Sequence, residues 1–226
     1  MKKDKVTSRQ GSELVRMANS KGISRSRFQK ALGDGTFGGF LDCLVGDDIV
    51  SITPSPKFSL LADLGIITVP AGYVHATRLV TANERGVYGE MYANDPNLTD
   101  AHFPNPSRVL KPGDRVHVYA YKQIVPGETT SAERLAYLAT QKAVYLGAQG
   151  ASLVLEQKRP LLPKGFWYAS FDEKDRLWED AGGYHRVPCV YACSGGGFSF
   201  DLGRFEFVWH GDFAFLGFCD IQSLGA

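Results

Sequence analysis

Along the last forty residues apolar and polar positions take turns with a period of two. In VPCVYAC, Pro188, Val190 and Ala192 fall on one face of an extended segment, and Cys189, Tyr191 and Cys193 on the other. In FSFDL, Phe198, Phe200 and Leu202 oppose Ser199 and Asp201. At Gly203 the parity shifts, as at a turn or bulge, and Phe205, Val208 and Trp209 read as anchors around Arg204, Phe207 and His210. The same alternation marks RVHVYAYKQIV, with Val116, Val118, Ala120 and Lys122 on one side and His117, Tyr119 and Tyr121 on the other. TTSAERLAYLATQKAVYLG is the clearest helix, capped by Thr130 or Ser131, with Leu135, Leu138, Val144 and Tyr145 at helical spacing before Gly147. SLLADLG reads as helix, and IITVP, GYVHATRLV, ASLVLEQKR and GFWYASFDE read as strands. Residues 81–107, rich in Asn, Asp and Pro, read as long loops.

The first fifty residues follow a different pattern. Ser12 caps a helix running to Asn19, Gly22 ends it, and Ser24 or Ser26 caps a second helix that stops at Gly33. A short apolar segment, TFGGFLDCLVG, comes next, and the proline-spaced SITPSPKF reads as a linker. Helix, tight turn and helix, with Lys21, Arg25, Arg27 and Lys30 near the turn and on the second helix, is a layout shared with helix-turn-helix DNA readers. The plainer reading is a helical appendage with a solvated basic face, and short capped helices and charge runs favour it. The predicted organisation is therefore a helical region and linker over residues 1–55, then one compact α+β domain over residues 56–226. Pairing of the C-terminal strand inside that domain is expected to bring the domain's two ends together.

Composition excludes several classes of function. With 226 residues and 44% hydrophobic content the chain can bury a sizeable core. A formal net charge of +1 provides no global field for nucleic acid or anionic lipid, so nucleic acid is disfavoured as a partner. The N-terminus has a basic start without an apolar leader, and no run reaches the length of a membrane span, which makes the cytoplasm the default location. Cys43, Cys189, Cys193 and Cys219 match neither a paired-Cys zinc pattern nor a disulfide framework and read as reduced thiols.

The C-terminal chemistry narrows the field further. SGGG is followed by a strand, whereas a phosphate-binding glycine loop needs a helix there. His75, His117 and His185 are candidate bases for an enzyme, but no motif supplies a nucleophile, base and orienting group, so no catalytic residues are assigned. No cluster of acidic and amide residues suggests a calcium cage, and no metal or cofactor is expected. One face of the segment looks like core. The other mixes Cys, Tyr, Ser, Asp, Arg, Phe and His, a mixture suited to a recognition surface.

The spaced frame RVP-x-V-x-A-x-S, then F-x-F-x-LG-x-FE-x-VW and AFLGFCD, resembles the variable region of proteins diversified by diversity-generating retroelements. That resemblance implies a C-type-lectin-like fold for residues 56–226, with a variable region at about 184–220 that displays hypervariable ligand-binding residues. Carried over position by position, it marks Cys189, Tyr191, Cys193, Ser199, Asp201, Arg204, Phe207, His210, Asp212 and Phe213 as diversified, with Gly196, Gly197 and Gly211 as further candidates. All ten are residue types that NNY codons encode, while Glu206 and Trp209 stand at frame positions. The implied function is binding of an unidentified ligand, a protein or cell-surface molecule. If the face assignment holds, Cys189 and Cys193 are more accessible thiols than Cys219.

Overall fold

The computed structural model describes residues 12, 15, 16, 19, 24–26, 28, 30, 56–89, 91 and 93–221. The chain divides into two compact units, Met1–Pro54 and Ser55–Ala226. In the first, Ser12, Val15, Arg16 and Asn19 are helical, as are Arg25, Ser26, Phe28 and Lys30. Ser12 thus lies in its helix rather than capping it, whereas Ser24 precedes the second one and its carbonyl accepts from Phe28 N at 3.0 Å. The expected stops at Gly22 and Gly33, the TFGGFLDCLVG segment, Lys21, Arg27 and Cys43 lie outside the described residues.

The second unit is a mixed α+β structure. In chain order its elements are β1 (Phe58–Thr68), α1 (Arg78–Glu84), β2 (Ala93–Asn94), β3 (Arg115–Gln123), β4 (Thr129–Thr130), α2 (Ser131–Thr140), α3 (Gly147–Lys158), β5 (Phe166–Ala169), β6 (Trp178–Glu179), β7 (His185–Ala192), β8 (Phe198–Arg204), β9 (Val208–Trp209) and β10 (Phe213–Asp220). One eight-stranded sheet runs β1-β3-β10-β5-β7-β8-β2, with β6 paired to β7, and β4 and β9 form a separate pair. Contacts of β10 with β5 and of β2 with β8 are parallel, and the other pairings are antiparallel.

Both faces of the sheet are covered, so there are two cores. Val118, Ala120, Val190, Phe200 and Leu216 pack with Leu153 and Val154 of α3 and Leu79 of α1. On the opposite face Tyr121, Ala169, Val187, Cys189 and Phe215 pack with Leu138 of α2 and Trp209 of β9. This double cover buries Tyr121, although His117 and Tyr119 on the same side of β3 stay partly exposed.

Four expectations need correction. SLLADLG is not helix but part of β1: two register shifts, between Leu60 and Ala62 and between Asp63 and Gly65, reset the alternation and put Leu61, Leu64 and Ile67 of one core at a spacing of three, while Phe58 packs in the other core. GYVHATRLV is not strand: it holds a 3₁₀ turn, His75–Thr77, and the start of α1. The cap of α1 comes from far along the chain, since the Asp100 carboxylate accepts from Leu79 N and Val80 N. ASLVLEQKR is the body of α3, buried on every side from Gly147 to Leu155 and so without a polar face to reveal its period. The helix after Thr130 stops at Thr140, just before the left-handed Lys142, and Val144 instead bridges to Phe218.

The ends of the unit also lie apart. Phe58 pairs with Gln123 and Asp220 with Val116, so entry and exit stand at opposite ends of β3. What closes on itself is residues 115–220, whose first and last strands are antiparallel neighbours. At the outer edge of β1, Gln157 of α3 replaces a strand neighbour: its Nε2 donates to Thr68 O at 2.9 Å, and Thr68 N donates to its Oε1 at 3.3 Å.

Candidate functional site

The β7–β8 hairpin turns through Cys193–Gly197, where Cys193 N donates to Gly197 O and Gly196 takes a φ of 105° that disfavours any side chain. Its register sets Tyr191 opposite Ser199, Cys189 opposite Asp201 and Val187 opposite Gly203. Tyr191 also pairs with Trp167 of β5, which pairs with Phe213 of β10. Direct neighbours in a sheet share a face, and these three rings form a row: Trp167 stacks on Tyr191 at 4.5 Å and 18°, and on Phe213 at 6.0 Å and 21°.

A second cluster stands beside the row. The Arg204 guanidinium lies 4.5 Å from the Tyr184 ring centroid and 4.7 Å from that of Phe207, and the two rings meet edge to face at 5.8 Å. Between the clusters lie two hollows that share Leu202, Gly203 and Phe213. One, of 140 Å³, adds Trp167, Cys189 and Asp201; the other, of 240 Å³, adds Arg186, Arg204, Phe207 and Trp209. Gly203 lets the sheet and β9 approach each other, for a Cβ there would lie 2.9 Å from the Trp209 ring and 3.2 Å from Cys189 Sγ.

The predicted positions divide in consequence. Phe207 is 50% exposed, His210 and Asp212 are exposed, and Tyr191, Cys193, Asp201, Arg204 and Phe213 are half-buried. Cys189 and Ser199 do not belong with them: both are covered, at 1% and 4% exposure, Cys189 because its end of the face carries α2 and β9 as a second layer. Burial pushes the Cys189 thiol up to about 12, and the residue lines the smaller hollow. Cys193 and Cys219 are both half-buried, which overturns the ranking of Cys189 above Cys219. Val208, expected as an anchor, is exposed, and Leu202, expected in the core, packs against its margin half-buried and also lines both hollows. The Tyr191 hydroxyl is raised above the usual tyrosine range by the neighbouring Cys193 and, less strongly, by Asp212. Trp167 and Tyr184 were not singled out by sequence. Strand alternation in WYASF marks two faces but cannot say which one meets Tyr191.

Main-chain contacts hold the segment from 204 to 213 in place. Arg134 is fully buried with no carboxylate in ion-pair range among the described residues; it donates to Thr129 Oγ1 at 3.0 Å, Phe213 O at 2.8 Å and His210 O at 3.4 Å. Its guanidinium lies over the Phe58, Trp209 and Phe215 rings, and burial lowers its pKa to about 10, a value at which it stays charged at neutral pH. Ser131 Oγ donates to Phe205 O and accepts from Trp209 Nε1, each at 2.7 Å. Phe205 N donates to His185 O, and Trp167 N to Asp212 O. Two histidines raised as catalytic candidates have carboxylate partners, His185 with Glu206 at 2.7 Å and His117 with Asp63 at 2.6 Å, while His75 Nδ1 meets the Tyr73 hydroxyl. Among the described residues no group of three or more His, Cys, Asp or Glu could hold a metal ion, and no helix is long and apolar enough to cross a membrane.

No protein-family model, curated protein or solved structure matches the chain. The site's own geometry therefore carries the functional argument.

Proposed function

We propose that this protein binds a ligand through replaceable side chains displayed on a C-type-lectin-like scaffold, of the kind diversified by a retroelement. The observation that carries this reading is how the segment is fastened. Arg134 and Ser131 reach the carbonyls of Phe205, His210 and Phe213, and Trp167 N reaches that of Asp212. A carbonyl is the same whatever side chain its residue carries, so positions 207, 210, 212 and 213 can change without losing these bonds. The Arg204 and Phe207 side chains, in turn, contact each other and Tyr184. Closure of residues 115–220, by antiparallel pairing of the strand before the two helices with the last strand, supports the lectin-like fold.

The working surface comprises Tyr191, Asp201, Arg204, Phe207, His210, Asp212 and Phe213, with Trp167 and Tyr184 as fixed members. Aromatic rings beside Arg204, next to apolar hollows, make up the composition of a protein-binding hot spot. Combined replacement of Tyr191, Arg204 and Phe207 by Ala is expected to abolish binding to a ligand recovered from a display screen. Melting should fall by only a few degrees, since none of the three side chains is fully buried and a cross-strand pair such as Tyr191 with Trp167 contributes about 0.2–1 kcal/mol. Trp209→Ala should instead cost about 3–5 kcal/mol. Unfolding by the first variant together with tolerance of the second would overturn the reading. The retroelement part is tested in the flanking DNA, where a near-copy of the coding segment for residues 184–220, differing at adenines, should lie beside a reverse transcriptase gene.

A further inference from the structure

A hollow of 260 Å³ lies elsewhere in the same unit, between the turn after β1, one face of α1 and Glu156 of α3. It shares no lining residue with the display surface. Small ligand pockets commonly span about 300–1,000 Å³, so an occupant of this one is a small molecule rather than a macromolecule.

Donors outnumber acceptors around it. Arg78 is nearly buried and held rigidly: its Nε donates to Ser152 Oγ at 2.7 Å and its Nη2 to Glu156 Oε2 at 2.8 Å, while Tyr88 Oη donates to the same Ser152 Oγ. Its Nη1 has no partner among the described residues, and the side chain lines the hollow. Arg85, the residue that caps the C-terminal end of α1, lines the same hollow, is exposed and makes no ion pair among the described residues. Thr77 and Thr81 add two hydroxyls on that face. Glu156 supplies the one carboxylate, already engaged by Arg78, so the lining has one positive charge in excess. The N-terminus of α1 is not involved, because Asp100 occupies its amides. Val74 offers an apolar wall.

We propose that this hollow binds a small oxyanion, a carboxylate or phosphate group on a short apolar body, received by the free arm of Arg78 and by Arg85. The buried Ser152 and Glu156 contacts fix the Arg78 fork in advance, so little side-chain freedom is lost on binding. The proposal does not depend on the display reading.

The test is calorimetric titration of the full chain with inorganic phosphate and with n-butyrate at constant ionic strength. Saturable binding of either probe is expected, and which one binds identifies the oxyanion. Arg85→Gln, at an exposed position, should weaken it by about tenfold or more, the loss expected for a charge-assisted hydrogen bond. Arg204→Gln, on the display surface, should leave it unchanged. Absence of saturable binding by both probes, or equal binding by Arg85→Gln and the parent, would overturn the proposal.

Discussion

Cys189 shows how one residue's environment can reverse its apparent role. Alternation sets it beside Tyr191, yet Trp209, the ring that Gly203 admits, closes over this end of the face. A thiol raised to about 12 is almost wholly protonated at neutral pH, and protonated thiols are poor nucleophiles. Timed maleimide labelling of the native protein should therefore modify Cys193 and Cys219 while Cys189 reacts only on unfolding. Labelling of Cys189 at the rate of Cys193 would place it on the open surface. Arg134 is the counterpart on the scaffold side. Its hydrogen bonds go to a hydroxyl and to the carbonyls of His210 and Phe213, and its guanidinium lies against aromatic faces, so its hold on the 210–213 backbone uses no side chain of those residues as an acceptor.

At the scale of elements, α3 depends on a close approach. A Cβ at Gly150 would lie 2.6 Å from Leu146 Cβ and 2.8 Å from the Phe218 ring, so Gly150→Ala must push the helix away from β10. Overpacking of this kind typically costs about 1–3 kcal/mol despite the better helix propensity of alanine, and denaturant unfolding should register the loss. The link between β7 and the display segment has its own pH dependence. Burial alone would raise Glu206, but hydrogen bonds from His185 and Lys174 outweigh it and hold the carboxyl below its ordinary 4.5. A carboxylate held down in this way contributes stability above its unfolded pKa, and the contribution is lost as pH falls through the lower folded value. Melting temperature should thus drop less steeply below pH 4.5 in Glu206→Gln than in the parent.

The same elements explain what could be read from sequence. β3, β7, β8 and the start of α2 declare themselves because each has one polar side or a capping box, Thr130 with Glu133. α3 shows no period because it has no wet face, β1 imitates a helix because bulges reset its parity, and α1 borrows its cap from Asp100. Within the site, the exposure of Phe207, His210 and Asp212 was legible, whereas the covering of Cys189 and Ser199 was not. Over Cys189 that cover comes from a second layer set by tertiary packing.

Taken whole, the molecule has almost no net charge, +1 over 226 residues, so copies of it repel one another only weakly at long range. Exposed apolar groups such as Phe207 and Val208 would be expected to make such a protein prone to clump. The eleven-residue margin of the sheet, β1, would add to the danger, because a bare row of amides and carbonyls invites a second chain to zip on. Here the two bulges break the straight run, and the Gln157 amide occupies the last rung at Thr68. Both features lower the chance that copies pair along this margin, even though Phe207 stands exposed beside Arg204 elsewhere on the unit.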